Sequence, residues 1–330
     1  MDTTAAASHD TRAGVIERRA ARGDRTFLVA TLVMALMFVV APFVGVYPVF
    51  LMKALCFALY ACAFNLLIGY GGLLSFGHAM FLGVAGCASA YTAKNWGFPP
   101  ELAILFATGL SALLGLVSGA IAIRRQGIYF AMITLALSQL LYFIYLQTPF
   151  THGEDGIQGI PQGYLFGILN LAQPTTLYYV ILAGFLFGFL LIYRTINSPF
   201  GEVLKAIREN EPRAISLGYK TDQYKLLAFI LSGTLAGFAG SLKVFVAQNA
   251  SLTDVHWSMS GEIVLMTLVG GLGTVFGPVV GAFVIIAMQQ YLAGFGQWVT
   301  VIQGVIFVAC VLTFRRGVIG EFAHYFRRSL

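Results

Sequence analysis

The chain has 330 residues, of which 58% are hydrophobic and only 10% charged, and its mean hydropathy is +0.81. A soluble domain of this size does not carry so few charges, so the composition excludes one and specifies a polytopic membrane protein. The formal charge of +6 is not a nucleic-acid footprint, because the basic residues cluster at the flanks of long apolar runs.

In chain order, a polar, Arg-rich arm (1–26) precedes apolar segments near 27–46, 49–69, 72–93, 101–123, 127–146, 176–193, 226–247, 257–271, 275–292 and 297–314. These runs are too long for barrel strands, and each crossing must satisfy its own backbone in lipid, so they are helices. The first run is span-length and lacks a small-residue exit site, which makes it an uncleaved helix rather than a secretory signal. Four basic groups hold 17 of the 20 Lys and Arg: the N-terminal arm, Arg124-Arg125, a central loop and the tail 315–330. Ten crossings put all four on one face, leaving Lys53, Lys94 and Lys243 elsewhere, and the positive-inside bias then makes both termini cytoplasmic. The eighth segment is short for a crossing and can also be read as a half-helix. The four cysteines all lie in apolar segments without metal-ligand spacing and read as small buried hydrophobes.

The central loop, 194–225, is the most polar stretch between apolar segments. It carries six basic residues and four acidic ones, Glu202, Glu209, Glu211 and Asp222. Ser198-Pro199 supplies a side-chain cap followed by a proline that fits a first helical turn. Val203, Leu204, Ile207, Ala214 and Leu217 then recur at helical spacing, Pro212 splits the run into two short helices, and Gly218 supplies a stop. Such an amphipathic element is expected to be offered to a soluble partner.

Glycine is abundant (37 residues). Small-xxx-small pairs at Gly115/Gly119, Gly184/Gly188, Gly233/Gly237, Gly273/Gly277 and Gly277/Gly281 predict close helix packing, because lipid gives helices little hydrophobic reason to associate. Two clusters, Gly69 to Gly72 and Gly270 to Gly273, interrupt apolar runs. They read either as broken helices facing protein or a watery cavity, or as tight connections at the membrane surface. No sequence repeat relates the two halves.

Polar groups inside apolar runs are functional candidates because burying them unpaired is costly. His78 reads as a pathway residue or as a neutral imidazole bonded to a neighbour. Asn65 and Ser75 beside it can serve a substrate contact or helix-to-helix glue. On the fifth span Thr134 can bond back to its own helix, which leaves Gln139 as the pathway candidate. Glu262 reads as a charge at the start of the eighth segment, favoured by the helix dipole, or as a pathway group. Lys53 and Lys243 lie near enough to span ends to snorkel. Glu154-Asp155, with no basic residue nearby in sequence, is a solvated turn or a docking point for a binding protein.

Several stretches resemble the membrane subunit of branched-chain amino acid ABC importers, the LivM type. They are Asn65 to Ala79 (NLLIGYGGLLSFGHA), Gly127 to Ala136 (GIYFAMITLA), Thr151 to Pro161 (THGEDGIQGIP), the central loop with Lys225 to Phe229 (KLLAF), and Gly270 to Pro278 (GGLGTVFGP). Their order and spacing cover about 55–315. The resemblance implies an all-α polytopic membrane protein of about ten transmembrane helices with the type II importer permease fold, in a bacterial inner membrane. It implies as partners a second, H-type permease, two cytoplasmic ATPases and a periplasmic substrate-binding protein. The central loop becomes the ATPase-coupling element, with Glu202, Leu204, Ile207, Arg208, Glu211 and Gly218 as coupling residues. Its sequence departs from the E-A-A…G loop of other importers, since Glu211 is followed by Pro212 and Arg213.

The chain has no G-x-x-x-x-G-K-[ST] phosphate loop, so no cofactor is expected and ATP belongs to the partner subunits. It also lacks HExxH, GxSxG and paired carboxylates within one span, the signatures of an integral-membrane enzyme. A self-sufficient secondary transporter needs ionisable groups in mid-span, which are nearly absent. Within the importer class, urea, short-amide and aromatic-acid permeases are the alternatives for cargo.

Overall fold

The computed structural model describes residues 27–45, 47–151, 153–296, 298–313 and 317. The N-terminal arm and nearly all of the tail 315–330, with their nine arginines, lie outside the described residues. The first helix, α1 (Phe27–Phe43), forms a unit by itself.

The main unit begins with α2 (Pro48–Asn65), which continues through a π turn (Leu66–Tyr70) and is followed by α3 (His78–Asn95), α4 (Pro100–Ala122) and α5 (Ile128–Gln147). After α6 (Pro174–Ile196) come two short helices, α7 (Pro199–Glu209) and α8 (Glu211–Ser216), and then α9 (Thr221–Ala247), α10 (Trp257–Gly270), α11 (Gly277–Leu292) and α12 (Trp298–Thr313). Each of the ten segments named from the sequence therefore contains a helix. Five of the described helices (α2 with its extension, α4, α5, α6 and α9) are long and apolar enough to span a membrane. Two boundaries differ from the sequence reading. The third helix starts at His78 rather than near 72, because Gly72 takes φ +69° and the backbone stays irregular through Gly77. The 14-residue α10 is roughly 21 Å long, shorter than the ~30 Å of a hydrocarbon core.

Apolar pattern decides position in the bundle. A helix that is hydrophobic all round is a buried one, and α2 has 89% of its apolar window buried, against 22% for α5. Helix α9 is the second pillar and packs against α2, α3, α4 and α6. Its seam with α4 is made of small residues: Ala103, Ala107, Ser111, Gly115, Gly119 and Ala122 form one buried stripe. Ser111 Oγ donates to the Gly233 carbonyl at 2.8 Å, and a Cβ on Gly237 would stand 2.3 Å from Ser111. Of the glycines picked out in the sequence, Gly115 and Gly119 let α9 approach at Ile230 and Leu226, and Gly237 lets α4 approach at Ser111, while Gly233 faces Phe81 of α3.

Helices α7 and α8 cap one end of this unit. The opposite end carries the short strands: β1 (Ile157–Gln158) pairs antiparallel with β4 (Asn249–Ala250), and β2 (Tyr164–Leu165) with β3 (Leu169–Asn170). Strand β4 follows directly on α9, whose last turn ends at Gln248 in the left-handed region. Lys94 lies at this strand end, donating to the Gln158 carbonyl at 2.7 Å. Lys243, near the C-terminus of α9, is ion-paired to Asp254 and lies 5.4 Å from the Phe57 ring, so it is tied down rather than snorkelling.

A side chain at Gly240 would press its Cβ to 2.2 Å from the Leu82 carbonyl oxygen, a backbone atom that cannot step aside. Gly240→Val is expected to destabilise the detergent-solubilised protein by about 3 kcal/mol or more, by overpacking. Gly109→Ala on the open face of α4 meets nothing within 4 Å and should leave the melting temperature unchanged or slightly raised. Thermal unfolding of both variants checks the pair.

Candidate functional site: a joint between two broken helices and α7

Both glycine clusters prove to be helix breaks, and they meet. The first follows Asn65, where α2 loosens into the π turn and ends at Gly71-Gly72. The second follows α10, with Gly271 at φ +119° and Gly273 at φ +74°, conformations that a side chain would strain. Asn65, 3% exposed, uses both ends of its amide to hold them together. Its Nδ2 donates to the Thr274 carbonyl at 2.8 Å, and its Oδ1 accepts the Gly273 N–H at 3.0 Å. Thr274 Oγ1 then accepts from Gly277 N at 3.1 Å and so opens α11. Gly69 must be glycine, since a Cβ would fall 2.2 Å from Asn65 Oδ1 and 2.8 Å from Gly273 N.

Helix α7 forms where the sequence places it, and its apolar face docks onto this joint. Ser198 Oγ caps it by accepting from Gly201 N at 3.4 Å, and Gly201 permits the sharp turn from α6, because a Cβ there would lie 2.1 Å from Ile196 O. Leu204 and Ile207 are 0% and 3% exposed. The guanidinium of Arg208 donates to the Gly69 carbonyl, one of those freed by the break. Lys205 bonds Glu202 at 2.7 Å and stands 5.9 Å from the Tyr70 ring. Between helix and joint lies a cavity of about 550 Å³ lined by Gly69, Tyr70, Lys205, Arg208, Glu209 and Gly273. Pro212 splits the element as expected, with Asn210 Oδ1 capping α8 through Arg213 N at 3.1 Å. Gly218, at φ +90°, ends it.

This geometry redistributes the six expected coupling residues. Leu204 and Ile207 fasten α7 to its own chain, so they are not a surface for a partner. Glu211 is committed to Lys225 of α9, and Arg208 to the joint. Glu202 and Gly218 remain outward. The exposed apolar residues are instead Ile215, Leu217 and Tyr219, at 55%, 69% and 41%. Hydrophobic spacing marked Leu204 and Leu217 alike, and burial separates them.

Two of the expected pathway residues, Ser75 and His78, lie in a second cluster. His78, 0% exposed, opens α3 and bonds Ser232 Oγ of α9 at 2.8 Å. The Ser232 hydroxyl is itself donated to the Ala63 carbonyl at 2.6 Å. It must therefore accept from His78, which places a proton on Nε2. Phe64, Phe81 and Phe229 surround the imidazole edge-on, with ring centroids 5.0, 5.5 and 6.1 Å away. Ser75 Oγ accepts from Gly77 N at 3.2 Å, Thr134 Oγ1 accepts from Phe76 N at 3.2 Å, and Ser260 Oγ accepts from Ala79 N at 2.9 Å. Asn65 and His78 thus join helices, and Ser75 closes a turn just before α3. Thr134 also bonds back to Ala131, as expected, while Ser138 rather than Gln139 takes the fully buried place on α5.

Glu262 is a correction of position: it is the sixth residue of α10, beyond the first turn, and accepts from Gln289 Nε2 of α11 at 3.0 Å. Glu154 and Asp155 lie exposed in a 3-10 turn (Gly153–Asp155) at the strand end. Sequence reasoning missed Ser232, Ser260, Thr274 and Gln289; the available signal was a hydroxyl or amide inside an apolar run.

A buried helical bundle whose broken helices converge on an amphipathic terminal element is a multi-pass membrane transport subunit by class. The chain belongs to the family described as "Branched-chain amino acid transport system / permease component", which matches residues 46–311. Among relatives, it is 26% identical over 75% of its length to the high-affinity branched-chain amino acid permease LivM of Salmonella typhimurium, and 25% identical over 88% to LivM of Escherichia coli. The matches span 64% and 73% of those relatives' own lengths. It is also 26% identical over 68% of its length, and 67% of the relative's, to the autoinducer 2 permease LsrC of an Enterobacter strain. No solved structure matches the chain.

Asn65→Leu leaves the Gly273 N–H and the Thr274 carbonyl without their partner, at a cost of about 1–3 kcal/mol for each group. The expected result is a lowered melting temperature in detergent and faster proteolysis near 270–276. Wild-type values on both measures refute a joining role for Asn65.

Proposed function

We propose that the chain is the permease half of an ABC importer, and that the α7–α8 element is where a separate ATPase grips it on the cytoplasmic side. The carrying observation is the two-sided build of that element. Its inner face is bonded to the helix breaks through Arg208 and Gly69 and to α9 through Glu211 and Lys225. Its outer face leaves Ile215, Leu217 and Tyr219 uncovered. A force applied outside is thereby delivered to the joint at Asn65, where α2 and α10–α11 meet. Irregular backbone with few helix bonds is where a bundle yields first, so closure of a motor changes the angle between the broken helices.

In this reading the chain crosses the inner membrane ten times in a type II importer fold, with both termini in the cytoplasm. The α7 end faces inward because the central loop is basic, while Lys94 and Lys243 at the strand end are bonded locally. An H-type permease completes the pathway, two ATPases hold the nucleotide, and a periplasmic binding protein docks at the strand end, where Glu154 and Asp155 are exposed. Branched-chain amino acids are the cargo favoured by similarity to LivM. The similarity to LsrC keeps other small polar cargo as the alternative.

Ile215→Asp with Leu217→Asp places charge on the gripping face without touching the core. In an importer reconstituted with its ATPases and binding protein, this pair should lower ATP-driven uptake about tenfold or more, with the permease inserted at wild-type levels. Leu204→Asp should instead reduce the amount of folded protein, since it puts a charge into a closed site. Wild-type uptake by the double variant, or labelling of a cysteine at 219 from the periplasmic side, counts against this assignment.

A further inference from the structure

At the strand end, the β2–β3 hairpin displays apolar side chains at a conformational cost. Leu165 O accepts from Ile168 N at 3.1 Å and closes a tight turn whose central residues, Phe166 and Gly167, have φ +51° and +72°. Turns of this kind favour asparagine, aspartate or glycine at both places, because a positive φ strains a bulky side chain. Here the first place holds a phenylalanine that is 71% exposed, so burial within the chain does not offset the strain, and Ile168 after it is 82% exposed. Tyr164 and Leu169, on the two strands, are exposed as well. The base of the hairpin is fixed. Gln162 Nε2 donates to the Phe245 carbonyl of α9 at 3.1 Å, Leu171 N donates to the Gly163 carbonyl at 3.1 Å, and Leu171 is buried. A strained apolar residue held out on a rigid base is a reason to look for what meets it.

The neighbours of the hairpin and its lack of charge identify the partner. From Gly156 to Tyr193 the sequence holds no Asp, Glu, Lys or Arg. A Cβ on Gly163 would lie 3.4 Å from Pro100 Cδ, so the hairpin stands beside the start of α4. There Trp96 meets Phe98 and Phe106 edge-on, with ring centroids 5.5 and 5.8 Å away, and all three rings are exposed. Leu102 and Leu105, in the first turns of α4, are 48% and 67% exposed on a span with only 28% of its apolar window buried. Exposed aromatic rings at the end of such a span mark the level of the lipid headgroups. We propose that the β2–β3 hairpin is an interfacial anchor that lays Phe166 and Ile168 into the lipid leaflet at the strand end, level with the Trp96 rim. A binding protein that comes and goes would leave these side chains in water for part of each cycle, and a charge-free loop gives it no steering. Lipid is always present, and taking up two large apolar groups offsets the strained turn.

The test reads the depth of the hairpin tip. Ile168→Cys, combined with Cys310→Ser because Cys310 alone among the cysteines is not buried, is labelled with the environment-sensitive fluorophore NBD. The full-length chain is reconstituted in phosphatidylethanolamine–phosphatidylglycerol vesicles, alone and with its partner subunits. Quenching by a lipid carrying a doxyl group near its headgroup is expected to exceed quenching by iodide, present on both sides of the membrane, in both preparations. Phe166→Asn suits the turn and removes the anchoring ring, so the same reporter should become about threefold more accessible to iodide, with insertion at wild-type levels. Tyr164→Cys supplies a second reading from the same hairpin, with the same preference for the lipid quencher. Iodide as the stronger quencher at both positions overturns the proposal, in favour of a hairpin standing in water. Doxyl quenching that disappears when the partner permease is added overturns it in favour of a subunit interface. Unchanged quenching in Phe166→Asn also overturns it, because the strained side chain then anchors nothing.

Discussion

Two helices of this protein stop short inside an apolar bundle, and the backbone groups they release must be paired. In lipid no water is at hand to do it, and each unpaired buried group costs on the order of kilocalories. The side chain of Asn65 meets that demand for the break after α10, supplying one donor and one acceptor to adjacent backbone positions. Arg208 meets part of it for the break after α2. The consequence is geometric. Because the two breaks share partners, neither helix can shift without the other, and because one partner is on α7, neither can shift independently of the surface element.

The remainder of the bundle is arranged so that this joint is the compliant part. The α4–α9 seam is closed by alanine, serine and glycine with backbones in near contact, and close packing of that kind resists deformation. Around His78, hydroxyls from α5, α9 and α10 pin the irregular segment that leads into α3. That cluster is hydrogen-bonded through His78 Nε2 on one side and aromatic on the other, which suits a fixed bearing. Rigid seams on one side and a hydrogen-bonded joint on the other give the bundle a preferred place to bend.

The sequence made some of this legible and hid the rest, for definable reasons. Helix number and the split at Pro212 follow from hydropathy and from local backbone chemistry, which act within a few residues. The Ser198 cap and the Gly218 stop are legible on the same grounds. That both glycine clusters break helices was an open choice, since a tight surface connection uses the same residues. That they meet was hidden, because about 200 residues separate Asn65 from Thr274 and no periodicity links them. The inward assignment of Leu204 and Ile207 was missed because amphipathic spacing reports that a face is apolar, not what covers it. Asn65 and His78 were marked correctly as costly groups. Their partners, a backbone carbonyl and a serine, carry no signal that distinguishes them from other polar atoms in an apolar run.

The distribution of polar side chains finally separates support from function. Asn65, Ser75 and Thr134 are buried and hydrogen-bonded, so their desolvation is compensated within the chain, whereas His78 is bonded through Nε2 alone. Glu262 is half-buried and bonded once, to Gln289. A charged group kept in an apolar slab without full compensation is destabilising to the chain that holds it. The joint at Asn65 and the charge at Glu262 lie toward opposite ends of α10. This short helix therefore carries a pinned break at one end and a singly bonded carboxylate near the other.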